Sequence, residues 1–194
     1  NHLLEAGKSY CWEFHNLNFD KMFSLRDTLV ESHGRKLRLE WGVDVTERRK
    51  EAAALTDKLL LEETLIRCIQ TLSGEQDTQA ALDSLLAIVG EYYAANRAYI
   101  FEFDFDSGTI NNTHEWRKEG VSAEIDNLQG IPLSAVEAWM RRFEQDGAFF
   151  ISCLHTELDP QSLDYQILEP QGIESLMAAP LIQNGRISGF LGVD

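Results

Sequence analysis

Residues 173–194 read IESLMAAPLIQNGRISGFLGVD, and this stretch decides the fold. Two apolar runs, Ser175 to Ile182 and Ile187 to Val193, flank Asn184-Gly185. Asn-Gly tolerates positive φ at both central positions of a two-residue turn whose twist matches the flanking strands, so the segment predicts a tight antiparallel hairpin. Upstream, Arg97 to Phe105 places Tyr99, Phe101, Phe103 and Phe105 on one face, and Asp106-Ser107-Gly108 turns the chain into a strand over Thr109 to Trp116. Ala148 to Cys153 reads as another strand. Asp77 caps a helix with an apolar face of Ala81, Leu82, Leu85, Leu86, Ile88, Val89, Tyr92 and Tyr93. Ile131-Pro132 precedes a second helix, with Ser134 as its cap and Val136, Trp139, Met140 and Phe143 facing inward. A short acidic helix near Asp159 to Leu168 is broken by Pro170. The order helix, strand, strand, helix, strand, helix, strand, strand is α+β, an antiparallel sheet with helices on both faces.

The preceding residues follow other periods. Leu37, Leu39, Trp41, Val43 and Val45 occupy every odd position of one run, which predicts a strand with one buried face. Met22 to Val30 repeats the pattern loosely, His33-Gly34 supplies a turn, and Cys11 to His15 suits a short strand beside this hairpin. From Glu47 to Leu72 there is no Gly or Pro, so a long helix is expected, ended by Ser73-Gly74. Two stripes run along it: Ala54, Leu61, Leu65, Cys68 and Leu72, and Leu55, Leu59, Ile66 and Ile69. One could pair with a second copy in a parallel coiled coil while the other packs on a neighbouring domain; the alternative is a single amphipathic helix packed on its own domain.

Charge separates the two portions. The 194 residues carry a net charge of −15. Residues 1–75 hold 13 acids and 11 bases, whereas residues 76–194 hold 19 acids and 6 bases. The acidic portion repels phosphate backbones and anionic membrane surfaces, and no apolar run approaches the length of a membrane span. No nucleic-acid or membrane partner is therefore expected, and a cytoplasmic location is. Three cysteines far apart in sequence, Cys11, Cys68 and Cys153, support neither a disulfide framework nor a zinc ribbon.

Two resemblances follow from these residues. LRLEWGVDVTERRKEAAAL, with Asp44-Val45-Thr46-Glu47-Arg48 at the strand-to-helix junction, resembles the end of a PAS domain running into a signalling helix. The resemblance implies that Asp44 and Thr46 tie the strand to the helix start and couple the two, and it covers only the second half of such a domain. Asn96 to Asp104 and Ile173 to Leu181, with Gly185 and Gly189 to Asp194, resemble a GAF domain. The expected organisation is the C-terminal part of a PAS domain over 1–47, a linker helix over 48–74 and a GAF domain over 75–194 that lacks its final helix. A fragment of a longer protein is implied, with the sheet face beside the first GAF helix under-covered unless the long helix or a second chain covers it.

No catalytic or metal constellation is legible. His2, His15, His33, His114 and His155 share no ligand spacing, and Glu102, Asp104 and Asp106 read as a solvated hairpin tip. Cys153-Leu154-His155 departs from the adjacent Cys-His pair of bilin-binding GAF domains, and an N-K-x-x-F…D-E signature of nucleotide-binding members is absent. No cofactor is expected, and an unidentified small ligand is left open. GAF domains bind such ligands between one sheet face and the middle helices, which makes Tyr99, Phe101, Phe103, Glu115, Trp116, Trp139 and Met177 the candidate pocket residues. Glu115 is the most telling, because a carboxylate facing a cavity needs a partner or a shifted pKa.

The expected function is a sensory module of a multidomain bacterial signalling protein. It is non-catalytic itself, homodimeric through the linker helix, and followed by an output domain of the diguanylate cyclase (GGDEF) type first and the histidine kinase type second. The alternatives are a GAF-type free methionine sulfoxide reductase and a structural dimerisation unit without ligand.

Overall fold

The computed structural model of the chain describes residues 8–74 and 77–194. His2 and the first seven residues of the expected PAS portion lie outside the described residues. The chain divides into two compact units, Asn1–Glu62 and Glu63–Asp194.

The first unit holds three antiparallel strands in the order β1-β2-β3: β1 (Ser9–Asn16), β2 (Lys21–Ser32) and β3 (Arg35–Asp44). His33 and Gly34, at φ 50 and 73°, form the two-residue turn that sets the register Ser32 opposite Arg35. The expected buried face of β3 is a correction. Leu37, Leu39, Trp41 and Val43 are 49 to 56% exposed, since alternation makes this face apolar without supplying a layer that buries it. At its centre this sheet instead buries Asp27, which pairs with the Arg38 guanidinium.

The junction to α1 (Thr46–Gly74) is closed by hydrogen bonds. Asp44 Oδ1 accepts from the Thr46 amide at 3.0 Å and from its hydroxyl at 2.6 Å, and Lys21 Nζ donates to Asp44 Oδ2 at 2.7 Å. The Met22 amide donates to Thr46 Oγ1, so one threonine links β2, the end of β3 and the helix start. Along α1, Leu55, Leu59, Leu61, Leu65, Ile66, Ile69 and Leu72 are all exposed.

The second unit carries a six-stranded sheet in the order β6-β5-β4-β9-β8-β7, with adjacent strands antiparallel. Its strands are β4 (Arg97–Asp104), β5 (Thr109–Arg117), β6 (Ile131–Pro132), β7 (Phe149–Ile151), β8 (Leu176–Gln183) and β9 (Arg186–Val193). Asn184 and Gly185, at φ 53 and 76°, make the hairpin turn between β8 and β9. Two interior glycines of β9 have packing reasons. A Cβ on Gly192 would strike the Tyr99 ring, and one on Gly189 would strike the Phe101 carbonyl.

One face of this sheet packs on α2 (Thr78–Tyr92), capped by Asp77, whose side chain accepts from the Gln79 amide at 3.0 Å. Leu86, fully buried, meets Ala98, Ile100 and Val193 there, and Gly90 lets the helix sit directly on the Trp116 ring. Beside this helix lies an open groove of about 340 Å³ lined by Tyr93, Phe150, Met177 and Val193 among others. The other face packs on α3 (Glu137–Asp146), α4 (Leu154–Glu157) and α5 (Leu163–Leu168), through a core centred on Phe190. Ser134 caps nothing: residues 133–136 form a 3-10 turn, and α3 begins only at Glu137 without a side-chain cap. β7 is shorter than expected, the acidic helix expected from Asp159 begins only at Leu163 as α5, with Pro170 in the 3-10 turn after it, and α4 is an additional short helix before it.

Candidate functional site

The candidate site is the space between the second sheet and the helices α3, α4 and α5. Tyr99 and Phe101 on β4, Ile110 on β5 and Phe190 on β9 form its floor, because alternation along each strand sends these side chains to one face. Val136 and Trp139 close one side, and Asp164, Leu168 and Gln171 the other. The cavity is about 40 Å³, enough for about three water molecules. Its rings pack tightly: Phe101 stacks on Phe190 at 4.9 Å, Tyr99 meets Phe101 edge-on at 5.6 Å, and Trp139 meets Phe190 at 5.6 Å.

Of the seven residues proposed from sequence, three reach this cavity: Tyr99, Phe101 and Trp139. Phe103 packs beyond it, edge-on to Phe105 and Phe190. Trp116 and Met177 are corrections, since both lie in the α2 layer on the opposite face. Adjacent strand residues point to opposite faces, so Glu115 and Trp116 cannot share one pocket. Met177 likewise stands between Leu176 and Ala178, which belong to the Phe190 core.

Glu115 does not line the cavity either. Its carboxylate accepts from the Glu124 amide at 3.0 and 3.1 Å and from Asn112 Nδ2 at 3.3 Å, which fastens the connector between β5 and β6. A register shift between Ile100 and Phe101 puts Asn112 and Glu115, three residues apart, opposite Phe101 and Tyr99. Asn112 is fully buried, and its Oδ1 has no hydrogen-bond partner.

The residue that sequence reasoning missed is Asp164. It is 8% exposed and lines the cavity, with Oδ2 accepting from the Trp139 indole at 3.1 Å and Oδ1 from the Tyr165 amide at 3.0 Å. A buried indole N–H needs an acceptor, and that requirement was the available signal once Trp139 had been assigned to the core.

A second polar group flanks Tyr99. Buried Arg97 holds Asp194 through Nε at 3.2 and 3.3 Å, and its Nη2 donates to the Gln171 carbonyl at 3.1 Å. Nη1 has no hydrogen bond, with Glu124 Oε1 at 3.9 Å. Burial pushes the Asp194 carboxyl up to about 6 against the pull of Arg97. Burial, followed by the Asp194 charge, also raises the Tyr99 phenol.

The remaining candidates converge less. Cys153 precedes α4, where its amide donates to Glu157 Oε1 at 3.2 Å, and His155 Nδ1 lies 2.9 Å from the Tyr165 hydroxyl; neither Cys153 nor His155 lines the cavity. The three cysteines are free and lie on different elements of the chain. Asp104 accepts from the amides of Asp106 and Ser107, as a turn residue does. Among the described residues no group of three or more His, Cys, Asp or Glu side chains could hold a metal, and no helix is long and apolar enough to cross a membrane. At the junction of the first unit, hydrogen bonding by Lys21 first, and then by Thr46, holds the Asp44 carboxyl well below the usual carboxylate range.

Comparison with known proteins agrees with this geometry. The family model described as GAF domain matches residues 77–194. A methanogenesis regulatory histidine kinase of Methanothrix harundinacea is 26% identical over 155 residues, 78% of this chain and 17% of that protein, so the chain spans only a small part of that relative. The chromophore-binding domain of a bacteriophytochrome from R. palustris superposes with a TM-score of 0.58 at 12% identity, over 95% of this chain and 64% of that one. The blue-light absorbing form of the Thermosynechococcus elongatus PixJ GAF domain gives 0.52 at 20% identity, over 64% of this chain and 70% of that one. At these identities the two structures speak to the fold alone.

Proposed function

Because the chain belongs to the GAF domain family, we propose that it is a regulatory module which relays a small-molecule or conformational signal through paired α1 helices to an output domain. GAF domains are sensory domains of signalling proteins, and a regulatory histidine kinase is among the relatives of this chain. That relative favours a histidine kinase output over the diguanylate cyclase implied by the residue resemblance. On this reading the three-stranded sheet is the C-terminal part of a PAS domain, and Asp44 and Thr46 transmit its state to α1.

The observation that carries the proposal is the helix itself. Leu61, Leu65 and Leu72 are 41 to 52% exposed on one stripe with Cys68, and a helix of 29 residues with two apolar stripes gains most of its stability from packing. In a parallel pair Cys68 faces its own counterpart. Mild oxidation of a Cys11→Ser background should therefore give a covalent dimer that Cys68→Ser abolishes, and light scattering should give twice the chain mass, reduced to one chain by Leu61→Glu with Leu65→Glu. A one-chain mass at all concentrations overturns the proposal.

The small cavity favours one second reading, a dimerisation unit that transmits strain without a ligand. It shares the paired helix and differs in showing no response to any small molecule.

A further inference from the structure

The geometry points to a small organic cation, an alkylammonium of a few heavy atoms, as the ligand class of the cavity between β4, β9, α3 and α5. The inference rests on reading the GAF unit as the sensory part of the module.

Two independent features converge on it. The first is a carboxylate without a cation. Asp164 is buried beside Ile167, Leu168 and the uncharged Gln171, and accepts from two neutral donors, the Trp139 indole and the Tyr165 amide. Among the described residues no Lys, Arg or His pairs with it. A carboxylate has about four acceptor positions, so capacity remains on both oxygens. A buried charge held only by neutral donors gains most from an opposite charge placed against it.

The second feature is aromatic. Tyr99, Phe101, Trp139 and Phe190 line the same cavity, and ring faces attract an ammonium, whose methyl groups also fill apolar space. Anions are disfavoured by Asp164, and neutral molecules would leave its charge unmatched. The cavity of about 40 Å³ limits the ligand to a few heavy atoms.

The test titrates the 194-residue chain with trimethylammonium, its neutral near-isostere tert-butanol and the anion pivalate. The indole N–H resonance of Trp139, assigned through Trp139→Phe, is the readout, because that proton lies on the Asp164 carboxylate. Trimethylammonium should shift this resonance saturably and raise the unfolding temperature, with pivalate silent and tert-butanol at least about tenfold weaker, as loss of a charge-assisted contact implies. Asp164→Asn should bring the cation down to the level of tert-butanol. If trimethylammonium and tert-butanol bind the unmodified chain equally well, or neither shifts the resonance at millimolar concentration, the inference is overturned whatever Asp164→Asn does. Failure here with the Cys68 crosslink intact removes the ligand class alone, whereas loss of the crosslink strikes the regulatory reading itself.

Discussion

The two sheets of this chain carry similar strand patterns and have opposite fates. In the second unit Tyr99, Phe101 and Ile110 disappear beneath helices, while in the first Leu37, Leu39, Trp41 and Val43 keep half their surface. Alternation says only that one face of a strand is apolar; it does not supply the layer that covers it. The covered sheet has helices on both faces, whereas the apolar row of β3 stays half exposed, so the same residue types differ in how much they stabilise.

The largest test of that contrast removes one aromatic from each sheet. Phe190→Ala opens the core against Phe101, Trp139 and Phe143 and should cost about 3–5 kcal/mol, whereas Trp41→Ala, half exposed, should cost about 1 kcal/mol or less in chemical denaturation of the 194-residue chain. Equal costs would mean that the first sheet is covered after all.

Next in size is Arg97→Met, which strands the Asp194 carboxylate in a buried site and should destabilise the second unit by about 3 kcal/mol, with Asp194→Asn restoring part of the loss. A cost no larger than that of an exposed arginine such as Arg35 would show that Asp194 is hydrated.

The pH dependence of the units should also differ in sign. The Asp194 carboxyl, raised to about 6, gives a contribution that is complete below its unfolded value near 3.8 and lost as pH rises through about 6, by on the order of 1–3 kcal/mol. Asp44 is lowered, so its contribution is present above the same unfolded value and is lost only as pH falls below it. Comparing the chain with Asp194→Asn between pH 4 and 7 isolates the first trend. A variant whose stability changes with pH just as the parent's does refutes it.

The smallest expected effect lies at the junction. Thr46→Val removes the acceptor of the Met22 amide and the donor to Asp44, at about 1 kcal/mol, and amide exchange should quicken at Met22 and in the first turn of α1. Unchanged exchange there would deny Thr46 a part in joining sheet and helix.

Much of the second unit was legible because its signals are local. Asn184-Gly185 has a backbone requirement that few other pairs meet, and Asp77 caps the adjacent helix with its own carboxylate. Ser134 carried the same kind of signal and failed, since Pro132 and the packing of Ala135 and Val136 wind that segment into a 3-10 turn. For the candidate site, Tyr99, Phe101 and Trp139 were found as large apolar groups on periodic elements. Asp164 was hidden because an acidic residue in a short acidic helix reads as solvated, and only the distant Trp139 indole makes it otherwise. Trp116 and Met177 were assigned to the wrong face, an error that strict alternation from Glu115 and Leu176 would have exposed.

By itself the sequence determined the hairpins, the long uninterrupted helix, the acidic character of the second unit and its α+β order. Those depend on turn chemistry, propensity and period, which act over a few residues. Tertiary structure alone decided which apolar faces are covered, that Glu115 fastens a connector, and that Asp164 enters an aromatic cavity. Each of these depends on groups 9 or 25 positions apart, or on whole layers, meeting in space, and no local pattern encodes that meeting.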